Sequence, residues 1–222
     1  MKIKRVRTND GTDTIFNEKF GETYHSYTGA YEEALRKFTL PTQIQDFAET
    51  QNTIKILDVC FGLGYNSSVF AEIVTQINPK IKIKITGLEN DSWILEQISQ
   101  TEFPTENWQL FQTMQNFEIH SKNLDLKIFI ADARKTLTNL SEKFDFVLFD
   151  PFSPKSCPEL WEENLLEKIT KVSKKGTKLT TYSCNKKFRK SLENLGWKTS
   201  DVKGVGRKSP STLAEFSPQK SE

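Results

Sequence analysis

Cysteine is scarce in this chain of 222 residues: Cys60, Cys157 and Cys184 are an odd number and show no C-x-x-C spacing. That argues against a disulfide framework and against a cysteine zinc site, and no metal is expected. No apolar run approaches the roughly 20 residues of a membrane helix. The opening Met1-Lys2-Ile3-Lys4-Arg5 lacks the apolar segment of a signal peptide. Together these absences point to a reducing cytoplasm and to no membrane partner. Histidine is equally sparse, and nothing near His25 in the sequence pairs with it. It is therefore expected to be a structural hydrogen-bonder rather than a base. Internal repeats and low-complexity tracts are absent.

What the chain does have is a core-forming pattern. Hydrophobic residues make up 36% of it, and 16 phenylalanines are enough to fill a real interior. The length suits one domain with a small appendage. The apolar run Ile54, Ile56, Leu57, Val59 has the composition of a parallel strand buried on both faces. It leads into Cys60-Phe61-Gly62-Leu63-Gly64, and Asn66 opens a helical pattern. Strand, glycine turn and helix form a nucleotide-binding crevice, because glycine lets the backbone approach a ligand. Taken alone, a G-x-G turn is equally compatible with a plain structural turn.

From residue 54 onward, strands and helices alternate. Strands are predicted at 54–59, 81–88, 126–130, 145–150 and 177–183. Helices are predicted at 65–77, 92–100, 107–120, 133–139, 159–171 and 185–195. This alternation predicts an α/β fold, a Rossmann-like doubly wound sheet. Two further strands, near Trp197–Val202 and Thr212–Phe216, fit an antiparallel hairpin at the sheet edge. Ahead of the sheet, residues 1–20 fit a β-hairpin turning at Asn9-Asp10-Gly11-Thr12, with helices near Tyr31–Phe38 and Thr42–Phe47. The chain divides on this reading into an extension (1–48), a sheet domain (49–217) and a flexible tail (218–222).

Acidic residues stand at four successive strand ends: Asp58, Glu89, Asp132 and Asp150. Any one could be a helix cap. Glu89 follows the glycines by about the spacing of a ribose-binding carboxylate. Asp132 is placed to accept from an adenine amino group, and Asp150 stands at the lip of the same crevice. This order is the one expected of an S-adenosylmethionine methyltransferase. A dinucleotide dehydrogenase usually has a fuller G-x-G-x-x-G.

The motif Asp58–Asn66 resembles the opening of the methyltransferase domain of the tRNA 5-methylaminomethyl-2-thiouridine biosynthesis family. Asp150-Pro151-Phe152-Ser153-Pro154-Lys155-Ser156-Cys157-Pro158-Glu159-Leu160-Trp161 is similar to that family's D-x-F-x-P-x-x-N-P-E-x-W signature. Further matches are Glu33 near the start, Thr181-Tyr182-Ser183, Arg189, and Gly204-Val205-Gly206-Arg207-Lys208. Matches run from about residue 24 to 215. Two positions depart from the pattern: Cys60 replaces the first glycine, and Cys157 replaces an asparagine, where it is expected to loosen the active-site loop.

The resemblance implies S-adenosylmethionine as cofactor, the tRNA anticodon arm as partner, and the amine of a 5-aminomethyl(-2-thio)uridine at the wobble position as acceptor. It sets Glu33, Asn66 and Ala133 beside Asp58, Gly62, Gly64, Glu89, Asp132 and Asp150 as cofactor-binding residues. Asp150, Phe152 and Tyr182 are the catalytic candidates. Asp150 would orient the amine, and the two aromatic rings would flank an everted base, although core packing explains both rings as well. No second dinucleotide turn remains for a flavin, so no flavin is expected.

Between Lys174 and Lys208, eleven basic residues face two acidic ones, while the remainder of the chain is net negative. On charge alone, this is a solvated lysine-rich face. A tRNA substrate turns the preference toward phosphate contacts, with Lys155, Lys187, Arg189, Arg207 and Lys208 as candidates and Lys2, Lys4, Arg5 and Arg7 assisting. Two other readings stay open. One is a same-fold small-molecule methyltransferase or aminopropyl transferase, and the other is a non-catalytic RNA-binding module.

Overall fold

The computed structural model describes residues 4–218. The first three residues of the expected hairpin, Lys2 among them, and the expected tail from residue 219 lie outside the described residues. Strands β1 (Lys4–Arg7), β2 (Asp13–Asn17) and β3 (Glu22–Thr23) form a three-stranded antiparallel sheet, one strand more than the expected hairpin. Helix α1 (Ala30–Glu33) runs directly into a π-helical stretch, Ala34–Thr39, and a 3-10 turn, Leu40–Thr42, that contains Pro41. The expected helix over Tyr31–Phe38 is therefore present but widened. After α2 (Ile44–Thr50) the main sheet begins.

Its elements are β4 (Thr53–Val59), α3 (Tyr65–Ile77), β5 (Lys82–Glu89), α4 (Ser92–Glu96), α5 (Trp108–Gln112), β6 (Glu118–His120), β7 (Leu124–Ile130) and α6 (Ala133–Asn139). They continue with β8 (Phe144–Phe149), α7 (Glu163–Lys171), β9 (Ser173–Thr181), α8 (Lys186–Asn194), β10 (Trp197–Val202) and β11 (Ser211–Phe216). The strand order is β10-β11-β9-β8-β4-β5-β7-β6. Strands β9, β8, β4, β5 and β7 are mutually parallel; β6 and β11 run antiparallel to them, and β10 pairs antiparallel with β11 and so returns to their direction. The predicted edge hairpin is present, with β11 inserted against β9.

Alternation on β8 explains how two cores form. Phe146 and Leu148 face one side and pack with Phe38, Phe70 and Ile56, whereas Val147 and Phe149 face the other with Trp161, Leu165 and Phe188. Ala30, Ala34, Phe38, Ile44 and Ala48 share the first of these cores with Ile54 and Val69. The N-terminal helices are thus packed onto the sheet itself.

One predicted helix is corrected. Helical structure expected over 107–120 ends at Gln112, and residues 118–120 pair antiparallel with β7. Asn116 and Phe117 take φ of 51° and 59°, a left-handed pair that reverses the chain and stops any helix. Elsewhere only boundaries differ. A 3-10 turn at Pro158–Trp161 precedes α7, and β9 starts four residues earlier than expected.

Candidate active site

The sheet order reverses direction at β4, between β5 and β8, and the crevice lies at that switch point. Register lines up the strand ends. Val59 is level with Leu88 and with Phe149, and Glu89 is level with Ile130. Glu89, Asp132 and Asp150 therefore emerge on one lip. A cavity of about 670 Å³ opens there, lined by these three carboxylates together with Glu33, Gly62, Ala133, Phe152, Tyr182 and Arg207.

The glycine turn closes one side of it. Gly62 and Gly64 take φ of 55° and 76°, and a Cβ on Gly64 would stand 2.7 Å from the Phe61 ring. The Gly62 amide donates to Glu89 Oε2 at 2.9 Å, and the amides of Asn90 and Asp91 donate to Oε1 at 2.8 and 3.0 Å. Burial still pushes the Glu89 carboxyl above its usual range, so a positively charged or hydroxyl-bearing ligand would meet a ready acceptor. Cys60 has φ of 67°, a left-handed conformation that favours glycine.

Asp150 is held from below by Asn66, whose Nδ2 donates to Oδ2 at 2.8 Å. Burial, and then the nearby Glu33, push the Asp150 carboxyl well above the usual range. Asp132 caps α6 and is paired with Arg134 at 2.6 Å, a hydrogen bond that holds its carboxyl low.

Three residues expected in the cofactor set do not line the cavity. Asp58, Gly64 and Asn66 lie beneath its wall, where Asp58 Oδ2 accepts from Ser67 Oγ at 2.6 Å. Asp58 Oδ1 has no partner among the described residues, and burial raises this carboxyl to about 7.

Sequence reasoning missed the N-terminal sheet as a wall of the site. Phe20 stacks on Phe152 at 4.7 Å, and Tyr24 meets the same ring edge-on at 5.0 Å. The Glu22 carboxylate accepts from Ser153 Oγ at 2.5 Å, from the Ser153 amide at 3.2 Å, and from Ser156 Oγ. These partners lie some 130 residues away, so nothing local in the sequence marks them. The aromatic segment from Tyr24 onward was the one available signal. His25 is buried beside Tyr65, and burial lowers it to about 4.

Cys157 does not leave the loop after Asp150 loose. Its thiol donates to the Phe152 carbonyl at 2.9 Å, and the Trp161 indole donates to the same oxygen at 2.8 Å.

The basic candidates separate into two groups. Lys155, Lys187, Arg207 and Lys208 are exposed. Arg207 lies over the Tyr182 ring at 5.8 Å and donates to the Tyr182 and Pro210 carbonyls. Arg189 instead faces inward, bonding Asp201 at 2.6 Å, Thr212 at 2.8 Å and the Ser211 carbonyl at 3.1 Å. Among the described residues no helix is long and apolar enough to cross a membrane, and no cluster of three or more His, Cys, Asp or Glu is placed to hold a metal.

Residues 95–217 match the family model described as S-adenosyl-L-methionine-dependent methyltransferase. The chain is similar to the crystal structure of MnmC2 from Aquifex aeolicus, with a TM-score of 0.87 and 33% identity, covering 99% of this chain and 73% of that one. An uncharacterized protein of Methanocaldococcus jannaschii is 29% identical over 96% of this chain and 59% of its own length. The tRNA 5-methylaminomethyl-2-thiouridine biosynthesis bifunctional protein MnmC of Campylobacter hominis is 27% identical over 91% of this chain. The chain spans 31% of that bifunctional relative.

Proposed function

This chain belongs to the S-adenosyl-L-methionine-dependent methyltransferases and is related to the methyltransferase domain of MnmC; from that premise we propose that it methylates the exocyclic amine of 5-aminomethyluridine, 2-thiolated or not, at the tRNA wobble position. The observation that supports this most directly is the position of Asp150. It lines the same cavity as Glu89, Asp132 and Gly62 and as the aromatic rings of Phe20, Tyr24, Phe152 and Tyr182. The carboxylates suit a cationic nucleoside, and the aromatic rings suit a planar base extruded from a loop.

S-adenosylmethionine supplies an electrophilic sulfonium methyl when bound. Glu89, Gly62, Asp132 and Ala133 are the residues that would hold its nucleoside, and Asp58 and Asn66 would brace that wall from behind. The acceptor amine attacks only when neutral. Asp150 accepts its N–H, turns the lone pair toward the methyl and takes the proton shed by the secondary ammonium product. An ordinary carboxylate is a poor base for an alkylammonium. The raised carboxyl of Asp150 narrows that mismatch. Exclusion of water by the aromatic rings strengthens the same contact.

The test is methyl incorporation into tRNA bearing either aminomethyluridine or carboxymethylaminomethyluridine, with no flavin added. Only the aminomethyl form should be labelled. Labelling of the carboxymethylaminomethyl form alone overturns the acceptor, and labelling of neither moves the search to another nucleotide.

A further inference from the structure

The loop between Asp150 and Trp161 is fixed at both ends. The Asp150 amide donates to the Val59 carbonyl at 3.1 Å, and the Trp161 ring is buried against Phe149 and Phe188. Between these anchors, every hydrogen bond that residues 153–156 make outside their own loop goes, among the described residues, to Phe20 or Glu22. Glu22 Oε1 accepts from Ser153 Oγ at 2.5 Å and from Ser156 Oγ, and Oε2 accepts from the Ser153 amide at 3.2 Å. The Ser156 hydroxyl also lies 3.1 Å from the Phe20 carbonyl.

Glu22 is a firm post for that loop. It lies on β3, in a sheet separate from the main one. That sheet is tied to the body of the fold elsewhere: Arg5 Nη1 donates to the Gln100 carbonyl at 2.7 Å, and the Tyr65 hydroxyl donates to the Asp13 carbonyl at 2.8 Å. Burial acts to raise the Glu22 carboxyl, yet the hydrogen bonds from Ser153 and Ser156 outweigh it and hold the group below its usual range. Glu22 therefore accepts as a carboxylate at neutral pH, and such charge-assisted bonds are stronger than neutral ones. Both oxygens already have protein donors, so Glu22 calls for no ligand although it borders the cavity. What it holds is Phe152. That residue is bonded directly to Ser153, and its ring meets Phe20 at 4.7 Å and Tyr24 at 5.0 Å, the residues two positions either side of Glu22.

We infer that Glu22 is a positioning residue for methyl transfer: through Ser153 and Ser156 it sets the place of Phe152, and with it the seat of the acceptor base. The inference rests on the acceptor site proposed above, in which Phe152 flanks the base. Stacking alone leaves Phe152 free to slide over Phe20, because ring contacts tolerate a range of offsets. The bonds to the carboxylate are directional and remove that freedom. A reacting group misplaced by about 1 Å can lose roughly 10²-fold in rate, so a residue acting only through the loop can still control the step. The cofactor wall does not depend on this path. Glu89 is held by the amides of Gly62, Asn90 and Asp91, none of which belongs to the loop.

The test uses the full chain with Glu22→Ala, with Glu22→Gln, with Ser153→Ala/Ser156→Ala, and with Glu22→Ala added to the two serine changes. Single-turnover methyl transfer to aminomethyluridine tRNA is measured with both substrates saturating, beside S-adenosylmethionine affinity by calorimetry and the melting temperature. Glu22→Ala should slow transfer by roughly ten- to a hundredfold with cofactor affinity unchanged. Glu22→Gln keeps an acceptor oxygen for the serine hydroxyls and should recover part of that rate. The serine double variant should be slowed as well, and adding Glu22→Ala to it should cost much less than Glu22→Ala costs alone, because residues in one network are not additive. Independent effects that simply multiply overturn the linkage. A Glu22→Ala protein that melts earlier but transfers at the wild-type rate makes Glu22 a structural strap and overturns the inference, as does cofactor affinity lost in step with rate. Should Glu22→Ala fail to fold, the serine double variant, which loses only two hydroxyls, decides alone, and transfer at the wild-type rate overturns the inference. A wild-type protein that labels neither tRNA overturns the acceptor reading and this inference with it, whereas an unimpaired Glu22→Ala overturns this inference only.

Discussion

Asn66, in the first turn of α3, donates through Nδ2 to Asp150 Oδ2 at 2.8 Å, linking two residues 84 positions apart. The Asn66 Oδ1 atom is buried without a partner among the described residues, so the amide is oriented by the carboxylate alone. Asp150 is thereby fixed where an incoming amine would meet it. Asp150→Ala should slow single-turnover methyl transfer by roughly 10²-fold or more, the scale of a lost general base, with cofactor affinity largely retained. The wild-type rate should also rise with pH across the range where the raised carboxyl ionises, because only the carboxylate accepts a proton. Transfer at the wild-type rate by a saturated Asp150→Ala enzyme would end this assignment.

Glu89 uses its two oxygens to hold three backbone amides and faces the cavity as well. Glu89→Ala should weaken S-adenosylmethionine binding by about 1.5–3 kcal/mol, as expected for losing a charge-assisted hydrogen bond. Isothermal calorimetry measures it directly. An unchanged dissociation constant would leave Glu89 as a loop anchor only.

Much of this arrangement was legible from residue order. Parallel strands buried on both faces leave near-continuous apolar runs, and acids at their ends stand out against them, as at Asp58, Glu89, Asp132 and Asp150. Contacts made across the fold leave no such trace. The Glu22 link to Ser153 and Ser156 joins the N-terminal sheet to the active-site loop, and neither partner is marked locally. Arg189 shows the opposite failure: its basic character suggested a phosphate, while its actual partners are Asp201, Thr212 and Ser211. The missed break before β6 came from Asn116 and Phe117, whose left-handed backbone is not encoded by a glycine.

Asp58 predicts a pH dependence of stability. Burial raises its carboxyl from an ordinary 3.8 to about 7. The unfolded chain releases this proton near pH 4, whereas the folded chain keeps it until about pH 7. Stability from this group is therefore highest below pH 4 and is lost as pH rises toward 7, with no further change above. Asp58→Asn should flatten the fall in melting temperature between pH 5 and pH 8. A variant that tracks wild type through that window would show that Asp58 ionises normally.

Cys60 occupies a left-handed backbone position, at φ of 67°. A β-branched side chain is strongly disfavoured there, so Cys60→Val should destabilise the fold by roughly 1–3 kcal/mol. Cys60→Gly removes the strain but loosens the unfolded chain, and should stay within about 1 kcal/mol of wild type. Urea denaturation of the two variants makes the comparison. A valine variant as stable as the glycine variant would mean the turn relaxes to another conformation.

The basic C-terminal third gives the most discriminating test of the RNA partner, because its arginines differ in what they touch. Arg207 and Lys208 are exposed on the loop between β10 and β11, with Arg207 lying over Tyr182 at the cavity rim. Arg189 is committed to internal partners. Arg207→Ala/Lys208→Ala should weaken tRNA binding and lower the slope of log affinity against log salt by about 1 for each phosphate no longer neutralised. Cofactor affinity should not change. Arg189→Ala should instead lower the melting temperature, since it frees a charged-group network between α8 and the edge hairpin, and should leave the salt slope intact. A reversal of these two patterns would place the phosphate-binding surface on α8, and an unchanged slope in both variants would return the whole tract to a solvated face.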